Sequence, residues 1–503
     1  MRAVELIETH VSWILLTGEF AYKIKRPVQH SFVDQRALER RQFLCHEEVR
    51  LNGRFAPELY LGVCPIAVRG GEAQVEGPGS VIEYAVRMRQ FERSDELDQL
   101  LETSRLEPNE LEVFGGELAR IHARLPVAQP AGDLGHPNAL VTLILGNVEE
   151  CRRAGKALDL TFDLHPLPAV LEALLVSTAR LRSQRMANGR VRECHGDLHA
   201  RNIVRFGSRL VAFDCLEFDP ALRWIDVADE IAFLLADLEA RQRPLHAQAF
   251  LAGYLTESGD YQACALQPLF RAHRALVRAK ITALSAAQPS TVSAEVSAAR
   301  SQYEAYVDSA RRAVAPKRPI LVLMCGLSGS GKTWLARQLA PALAAVHLRS
   351  DIERKRLAGL AAMDRTLSPV GEGLYSPDAS QKVYDRLADC ATGSLRGGYT
   401  TIVDATFGRA AERARFRGLA ASLGARICVT YCHAPRQVLE ARIAERQRSQ
   451  HDSSEADLAV LAWQEASFEP PEPHEALAVL EPQSPDPVTI EALIQRISAL
   501  SAS

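Results

Sequence analysis

A glycine-rich loop between an apolar strand and a helix constrains this chain more than any other feature of its sequence. The run Gly326-Leu327-Ser328-Gly329-Ser330-Gly331-Lys332-Thr333 follows the apolar segment 320–325 and precedes the helical pattern 334–343. In such a loop, consecutive backbone N–H groups and a helix N-terminus converge on phosphate oxygens. The pattern therefore predicts a phosphate-binding P-loop within a parallel α/β sheet.

The side chains that end the loop supply its chemistry. Lys332 is expected to reach the β- and γ-phosphates of ATP and to act in catalysis, and the Thr333 hydroxyl is expected to ligate Mg²⁺. The glycines give the backbone the freedom to approach the phosphates. The loop residues predicted to bind ATP are Gly326, Ser328, Gly329, Ser330, Gly331, Lys332 and Thr333.

Strand and helix patterns alternate after the loop. Strands are predicted at 346–349, 400–403 and 426–431, and the proline-rich stretch 470–487 predicts a loop around a short strand. This rhythm is typical of a doubly wound, mainly parallel sheet. Ligands bind such sheets at the carboxyl ends of the strands, where Asp351 and Asp404 are expected to lie.

A second phosphate-handling pattern occurs earlier in the chain, in the run His195-Gly196-Asp197-Leu198-His199-Ala200-Arg201-Asn202. Phosphoryl transfer to a hydroxyl needs a carboxylate that orients the acceptor and oxygen ligands that hold Mg²⁺. Asp197 fits the first role and Asn202, five residues later, fits the second. Asp214 ends the apolar segment 209–213, where another metal-binding carboxylate is expected.

The chain is long enough for two or three domains. Strands are predicted at 11–16 and 20–24 around the turn Thr17-Gly18-Glu19, then at 60–66 and 81–88, with a charged helix over 35–52. From about residue 95 the pattern is mostly helical. Two prolines interrupt it at 313–319, which predicts a first domain over 1–312, a linker over 313–319 and a second domain over 320–503.

On the run 195–202 and Phe213-Asp214, the first region resembles the aminoglycoside phosphotransferase and choline kinase-like family, relatives of the protein kinases. The resemblance implies an α+β protein-kinase-like fold, with a small strand-rich lobe and a larger helical lobe. It implies that Asp197 is the catalytic base and that Asn202 and Asp214 bind Mg²⁺.

The run Ala21-Tyr22-Lys23 resembles the strand lysine that holds the ATP phosphates in that family. Lys23 is the first candidate and Lys25 the second, because alternate residues of a strand share one face. The helix partner of this lysine is Glu48 or, as the alternative, Glu47. The segment after Asp214 contains no Asp-Phe-Gly switch, which argues against regulation of the protein-kinase kind.

The second region is similar to the small P-loop kinases of the gluconate kinase, zeta toxin and polynucleotide kinase type. This similarity implies that Asp351 orients or deprotonates the substrate hydroxyl and that Asp404 supports Mg²⁺. Arg446 is the first candidate for a catalytic lid arginine, and Arg442 is expected to point elsewhere. Arg354 and Lys355 either bind an anionic substrate group or lie on a solvated helix face.

The order of the two regions resembles a bacterial family of fused aminoglycoside phosphotransferase-like and ATP-binding proteins, and the segments 7–10, 22–25, 56–60 and 375–377 look characteristic of it. The first strand is expected to be missing or short. The resemblance implies two ATP- and Mg²⁺-dependent kinase modules that phosphorylate hydroxyls of small molecules. The alternatives are that one module regulates the other, or that the second is a polynucleotide 5′-kinase.

Composition narrows the remaining choices. A formal net charge of −3 gives no reason to expect nucleic acid as the main partner. The chain has no long apolar run for a membrane span and no clear signal peptide, and its ten cysteines form no CxxC pair. These features predict a cytoplasmic protein. On one helix, Arg271, Arg274 and Arg278 are expected to form a solvated face or, as the alternative, an anionic-substrate surface, and Asp226 and Asp229 are expected to be structural.

Overall fold

The computed structural model describes residues 4–30, 33–130, 132, 134–158, 164–287, 293–362, 364, 376–449, 456–480 and 487–502. The chain divides into two compact units. The first comprises Met1–Ala247 and Leu269–Val314, and the second comprises Gln248–Pro268 and Ala315–Ser503. The boundaries predicted from the sequence placed residues 248–268 in the first domain, whereas their packing groups them with the second unit.

The small lobe of the first unit is a six-stranded antiparallel sheet with the order β1-β2-β3-β8-β6-β7. The first strand, expected to be missing or short, is four residues long and pairs with β2. The strands of the unit are β1 (Glu5–Glu8), β2 (Ser12–Leu16), β3 (Phe20–Lys25), β4 (Gln29–His30), β5 (Val33–Asp34), β6 (Tyr60–Arg69), β7 (Glu72–Val75), β8 (Ser80–Arg89), β9 (Val191–Glu193), β10 (Ile203–Phe206), β11 (Arg209–Ala212) and β12 (Trp224–Asp226).

The helices of this unit form most of the larger lobe, as the sequence predicted, except the first, which packs on the sheet of the small lobe. They are α1 (Leu38–Asn52), α2 (Leu97–Glu102), α3 (Pro108–Arg124), α4 (Pro137–Ala157), α5 (Leu167–Ser177), α6 (Ala179–Ala187), α7 (Val227–Ala240), α8 (Pro244–Ser258), α9 (Gln267–Ala286) and α10 (Ser293–Val314). Residues 248–258 of α8 and 267–268 of α9 group with the second unit. Helix α1 packs on the sheet, and its Cys45 joins a core with Tyr60, Val86, Val204 and Val211.

The second unit contains a five-stranded parallel sheet with the order β14-β15-β13-β16-β17. Its strands are β13 (Ile320–Cys325), β14 (Val346–Arg349), β15 (Thr401–Asp404), β16 (Arg426–Cys432) and β17 (Ala476–Leu480). Every residue of β13 is buried, as expected for a central parallel strand covered on both faces. The predicted doubly wound parallel sheet is confirmed.

Seven helices of the second unit follow the P-loop in the described residues: α11 (Lys332–Ala342), α12 (Ser350–Leu357), α13 (Pro377–Arg396), α14 (Ala410–Ser422), α15 (Arg436–Ser449), α16 (Leu458–Ala466) and α17 (Pro487–Ala502). Residues 248–268 pack closely against two of them. The Arg356 guanidinium donates to the carbonyls of Thr256 and Glu257 at 2.5 and 2.9 Å. A Cβ at Gly397 would lie 2.1 Å from the Cys264 carbonyl oxygen.

Among the residues that the structure describes, no helix combines the length and apolar character that a membrane crossing requires.

Candidate active sites

The loop at residues 195–202 is positioned by buried carboxylates of α7. Glu230 accepts hydrogen bonds from the backbone N–H groups of His195 and Gly196 at 2.7 and 3.0 Å. Asp237 accepts from the N–H of Ala200 at 2.8 Å. Because these bonds satisfy backbone donors at both ends of the loop, α7 fixes the path of the chain around Asp197.

Asp197 lies between an amide and an imidazole. The Asn202 side-chain amide donates to the Asp197 backbone oxygen and to Oδ2, both at 3.0 Å, and His199 Nε2 lies 3.3 Å from Oδ2. Burial acts to raise the pKa of Asp197, but His199, Arg278 and His195 outweigh it and hold the pKa below its ordinary value. The carboxylate is therefore ionised at neutral pH.

Asp214 follows β11 in a left-handed conformation, with φ of 63°. Its backbone N–H donates to the Tyr60 hydroxyl at 3.0 Å. The Lys23 ammonium contacts both Asp214 Oδ1 and Glu48 Oε1, the latter at 2.9 Å. The structure therefore brings together three of the predicted site residues from β3, α1 and the end of β11.

The sequence left open whether Glu48 or Glu47 partners the strand lysine, and whether that lysine is Lys23 or Lys25; the contacts distinguish them. Glu47 does not contact Lys23 and instead pairs with Arg50 at 2.6 Å and Arg223 at 2.8 Å. Lys25 is 1% exposed and contacts Glu48 and Glu217. Sequence reasoning missed Glu217, although a second lysine on the same strand face requires a carboxylate partner if it is buried.

The donor atoms of this loop region fit Mg²⁺, which prefers oxygen ligands. The Asn202 amide nitrogen is committed to Asp197, so the amide oxygen is the atom left to serve as a ligand. Asp214 adds a carboxylate whose side chain is 45% exposed. These two side chains supply the oxygen chemistry that a nucleotide-bound magnesium ion requires.

The arginines of α9 correct one prediction. Arg271, Arg274 and Arg278 are all less than 9% exposed, so they form neither a solvated face nor an open anion-binding surface. Arg274 makes a two-pronged ion pair with Asp229 at 2.7 and 2.9 Å. Helical spacing places the three arginines on one face, but it cannot tell whether that face meets water or buried carboxylates. The three arginines are buried because acidic side chains of α7, such as Asp229, pack against this face.

Asp226 has the structural role predicted for it. Its carboxylate caps α7 by accepting from the Ala228 N–H at 2.8 Å and also pairs with Arg185 at 2.7 Å. Asp229 is likewise buried in its pair with Arg274.

The second unit contains a cavity of about 320 Å³ at the carboxyl ends of its strands. Eight of the predicted site residues line it: Ser328, Gly329, Gly331, Lys332, Thr333, Asp351, Asp404 and Arg446. Gly326 and Ser330 do not line the cavity. Gly326 lies against the Cys432 backbone, and Ser330 is 1% exposed with its N–H bonded to the Leu327 carbonyl at 3.2 Å.

The charges that face this cavity are coupled. Asp404 lies 3.4 Å from His347 Nε2 at the end of β15. Burial acts to raise the Asp404 pKa, but His347, Lys332 and Thr333 outweigh it and lower the pKa to about 2. Burial lowers the pKa of Lys332, whose ammonium donates to the Leu327 carbonyl at 2.8 Å. The ionised Asp404 and the Thr333 hydroxyl are suitable oxygen donors for Mg²⁺.

Arg442 and Arg446 of α15 both line the cavity, so the expectation that Arg442 points elsewhere is wrong. Residues four apart lie on one face of a helix, which brings Arg442 to the same side as Arg446. Arg442 donates to the Gly329 carbonyl at 3.3 Å, and Arg446 donates to that of Ala456 at 2.6 Å.

Arg354 and Lys355, the other candidates for binding an anionic substrate group, differ in their positions. Arg354 lines the cavity. Lys355 is buried and donates to the Ala362 carbonyl at 3.0 Å, so it neither faces solvent nor lines the cavity. Sequence reasoning missed Gln464, whose Oε1 accepts the Ser328 N–H at 2.9 Å. Tyr375 of the characteristic segment 375–377 lies outside the described residues.

Two family models match separate regions of the chain. Residues 35–266 match the phosphotransferase enzyme family, and residues 321–471 match the AAA domain. The chain is therefore an ATP-dependent kinase. The two matches lie in the regions, and in the order, in which the sequence resembles a phosphotransferase-like domain followed by a P-loop domain.

Some relatives match this chain over nearly its whole length. The chain is 28% identical over 472 residues to the uncharacterized protein Rv2004c of Mycobacterium tuberculosis, covering 93% of this chain and 91% of that protein. Among solved structures, the amicoumacin kinase hAmiN is similar over 60% of this chain and 87% of its own, at 14% identity and a TM-score of 0.36. The Mycobacterium tuberculosis APS kinase CysC is similar over 37% and 100%, at 23% identity and a TM-score of 0.28.

Proposed function

We propose that both units transfer the γ-phosphate of ATP to hydroxyl groups of small molecules. One observation carries this proposal. In the first unit Asp197 is bonded to Asn202 and Lys23 contacts Asp214, and in the second unit Lys332, Thr333, Asp351 and Asp404 line one cavity. Each unit therefore has an aspartate, a lysine and oxygen donors of the kinds that this reaction needs. A cytoplasmic setting, in which thiols stay reduced, is part of the proposal.

In the first unit, Asp197 orients the acceptor hydroxyl and takes its proton at the carboxylate as the new bond to phosphorus forms. Its low pKa makes it a weak base, so orientation is the larger part of its role. Lys23 binds phosphate oxygens and is held in place by Glu48. Asn202 and Asp214 would hold Mg²⁺, which neutralises phosphate charge when bound.

In the second unit, the backbone of the P-loop and Lys332 bind phosphate oxygens. Asp351 lies in the first turn of α12, the helix that follows β14, and orients the acceptor hydroxyl in the cavity that it lines. Thr333 and Asp404 would hold the metal. Arg442 and Arg446 place positive charge where α15 lines the cavity, and there they stabilise negative charge on the phosphoryl group as it is transferred.

The test uses the full chain, because a cut within residues 313–319 would separate 248–268 from the unit that it packs in. Asp197→Asn and Lys332→Ala are assayed for ATP turnover against sugars, amino alcohols, nucleosides and oligonucleotides. Each variant is expected to lose one set of phosphorylated products by roughly 10²–10⁴-fold and to keep the other. Lys382→Ala, at an exposed lysine of the second unit, is the matched control for Lys332→Ala.

The outcomes separate this proposal from its alternatives. Loss of every product in either single variant would show that one unit regulates the other. Products from oligonucleotides alone, lost in Lys332→Ala, would make the second unit a polynucleotide 5′-kinase. Unchanged products in both variants would contradict the assignment of Asp197 and Lys332.

A further inference from the structure

Strand β3 places two lysines on one face, and both are held by the same carboxylate. Lys23 contacts Glu48 through Oε1, and Lys25 contacts it through Oε2. Each lysine also contacts a second carboxylate beyond β11: Lys23 binds Asp214, and Lys25 binds Glu217. The five side chains form one row in which negative and positive charges alternate.

The inner part of this row is deeply buried. Lys25 is 1% exposed, Glu48 is fully buried and Glu217 is 9% exposed. Burial acts to lower the pKa of Lys25, but Glu217 and Glu48 outweigh it and raise the pKa above its ordinary value. The ammonium is therefore charged, and a buried charge of this kind is tolerated only while its partners remain.

Asp214 and Glu217 are the two ends of one short segment, residues 214–217. Within this segment, the Asp214 N–H donates to the Tyr60 hydroxyl at 3.0 Å, and the Cys215 N–H donates to Asn52 Oδ1 at 3.0 Å. Two ends of the segment are thus fixed to β3 through lysines, and its backbone is fixed to α1 and β6. In this segment no Asp-Phe-Gly sequence is present that would let the metal-binding aspartate turn away.

We infer that Lys25 and Glu217 are positioning residues that hold Glu48 and Asp214 in the arrangement that binds the metal-nucleotide complex. Lys25 does not itself touch the nucleotide. Lys25 fixes the carboxylate oxygen of Glu48 that Lys23 does not contact, Oε2. Through its ion pair with Glu217, it also fixes the end of the segment that begins at Asp214. This inference rests on the proposed function of the first unit.

The test measures Mg²⁺-dependent ADP binding by calorimetry in the full chain, with Lys332→Ala present throughout to weaken binding at the second site. Lys25→Met is expected to raise the Mg²⁺ concentration for half-maximal binding by about 10-fold or more, as loss of a residue that orients a metal ligand does. Glu217→Gln, which is nearly the same shape, is expected to shift the midpoint in the same direction. The double variant is expected to shift it little more than Lys25→Met alone, because the two residues act as one unit.

Arg41→Met is the matched control. Arg41 is a buried cation of α1 that pairs with Glu83 at 2.8 Å and with none of the five side chains of the row. Its loss is expected to lower the Tm and leave the Mg²⁺ midpoint unchanged. If Lys25→Met lowers the Tm in the same way and leaves the midpoint unchanged, Lys25 is merely structural and the inference is overturned.

Two further results keep the inference separate from the function on which it rests. If Lys25→Met does not fold, Glu217→Gln decides alone, and an unshifted midpoint in that variant overturns the inference. If the parent chain with Lys332→Ala binds no ADP at any Mg²⁺ concentration, the proposed function of the first unit fails and the inference fails with it.

Discussion

The two units hold their proposed phosphate-binding groups in place by opposite means. In the first unit, Lys23 is held by side chains that arrive from distant parts of the sequence, Glu48 on α1 and Asp214 after β11. In the second, the donors are backbone N–H groups of one continuous loop, whose shape is set by glycines at 326, 329 and 331 with positive φ. The first site depends on tertiary packing of ionised groups, and the second depends on local backbone conformation.

This difference leads to different sensitivities. A buried ion-pair network fails when one charge loses its partner. A glycine loop fails when a Cβ is added at a position where the backbone has no room. Substitutions chosen for one mode of failure should therefore leave the other unit intact.

The largest effect is expected from Gly326→Ala. A Cβ at this position would lie 2.2 Å from the Cys432 carbonyl oxygen, and its φ is 142°. Steric contact and backbone strain together are expected to weaken ADP binding at the second site by about a thousandfold, or about 4 kcal/mol. Calorimetry in an Asp214→Asn background, which weakens binding at the first site, measures this change.

Gly424→Ala is the control for Gly326→Ala. Gly424 also has a positive φ, 65°, but no atom lies within 4 Å of a Cβ built there. It is expected to lower the Tm slightly and to leave ADP affinity unchanged. Equal losses of affinity in the two variants would show that the loss comes from general destabilisation of the second unit and would contradict a local effect of the contact at Cys432.

A pH experiment tests the dependence of the first unit on buried carboxylates. Burial raises the pKa of Glu230 to about 7, although Arg274 and two backbone N–H groups oppose the change. Between the ordinary pKa near 4.5 and this value, the native state keeps a proton that the unfolded state has lost. The free energy of unfolding therefore falls as the pH rises through this window.

Glu230→Gln removes that titration. The free energy of unfolding of the variant, minus that of the parent chain, is expected to rise by up to about 3 kcal/mol from pH 4.5 to pH 7. Thermal unfolding across this range measures it. Parallel curves for Glu230→Gln and the parent chain would mean that Glu230 titrates normally.

The same contrast explains what the sequence could predict. The P-loop, its strand and its helix are contiguous, so their residues and their fold follow from one local pattern. The choice between Glu47 and Glu48 depends on which side of α1 faces β3, and that is decided by packing. The burial of Arg274 depends on Asp229, 45 residues earlier in the sequence. No periodicity within α9 contains that information.

The smallest effect is expected from Gln464→Ala. Gln464 is the hydrogen-bond partner of a backbone N–H of the P-loop, that of Ser328. Gln464 Oε1 accepts the Ser328 N–H at 2.9 Å, and its amide nitrogen lies 3.5 Å from Thr406 Oγ1. A phosphate oxygen that binds the same N–H must displace Gln464. Removing this competitor is expected to tighten ADP binding at the second site about fivefold, or about 1 kcal/mol, the net value of one neutral hydrogen bond.

Gln464→Glu sharpens this prediction, because its sign is opposite. A carboxylate would bind the Ser328 N–H more strongly than the amide and would repel phosphate, so ADP affinity is expected to fall. Gln381→Ala, which lines the same cavity without a bond to the P-loop, is the control and is expected to change little. Weaker binding in Gln464→Ala would mean that Gln464 contacts the nucleotide. Tighter binding would show that Gln464 occupies a phosphate donor of the loop, the Ser328 N–H, and is replaced by the nucleotide, whereas the partners of Lys23 in the first unit stay in place.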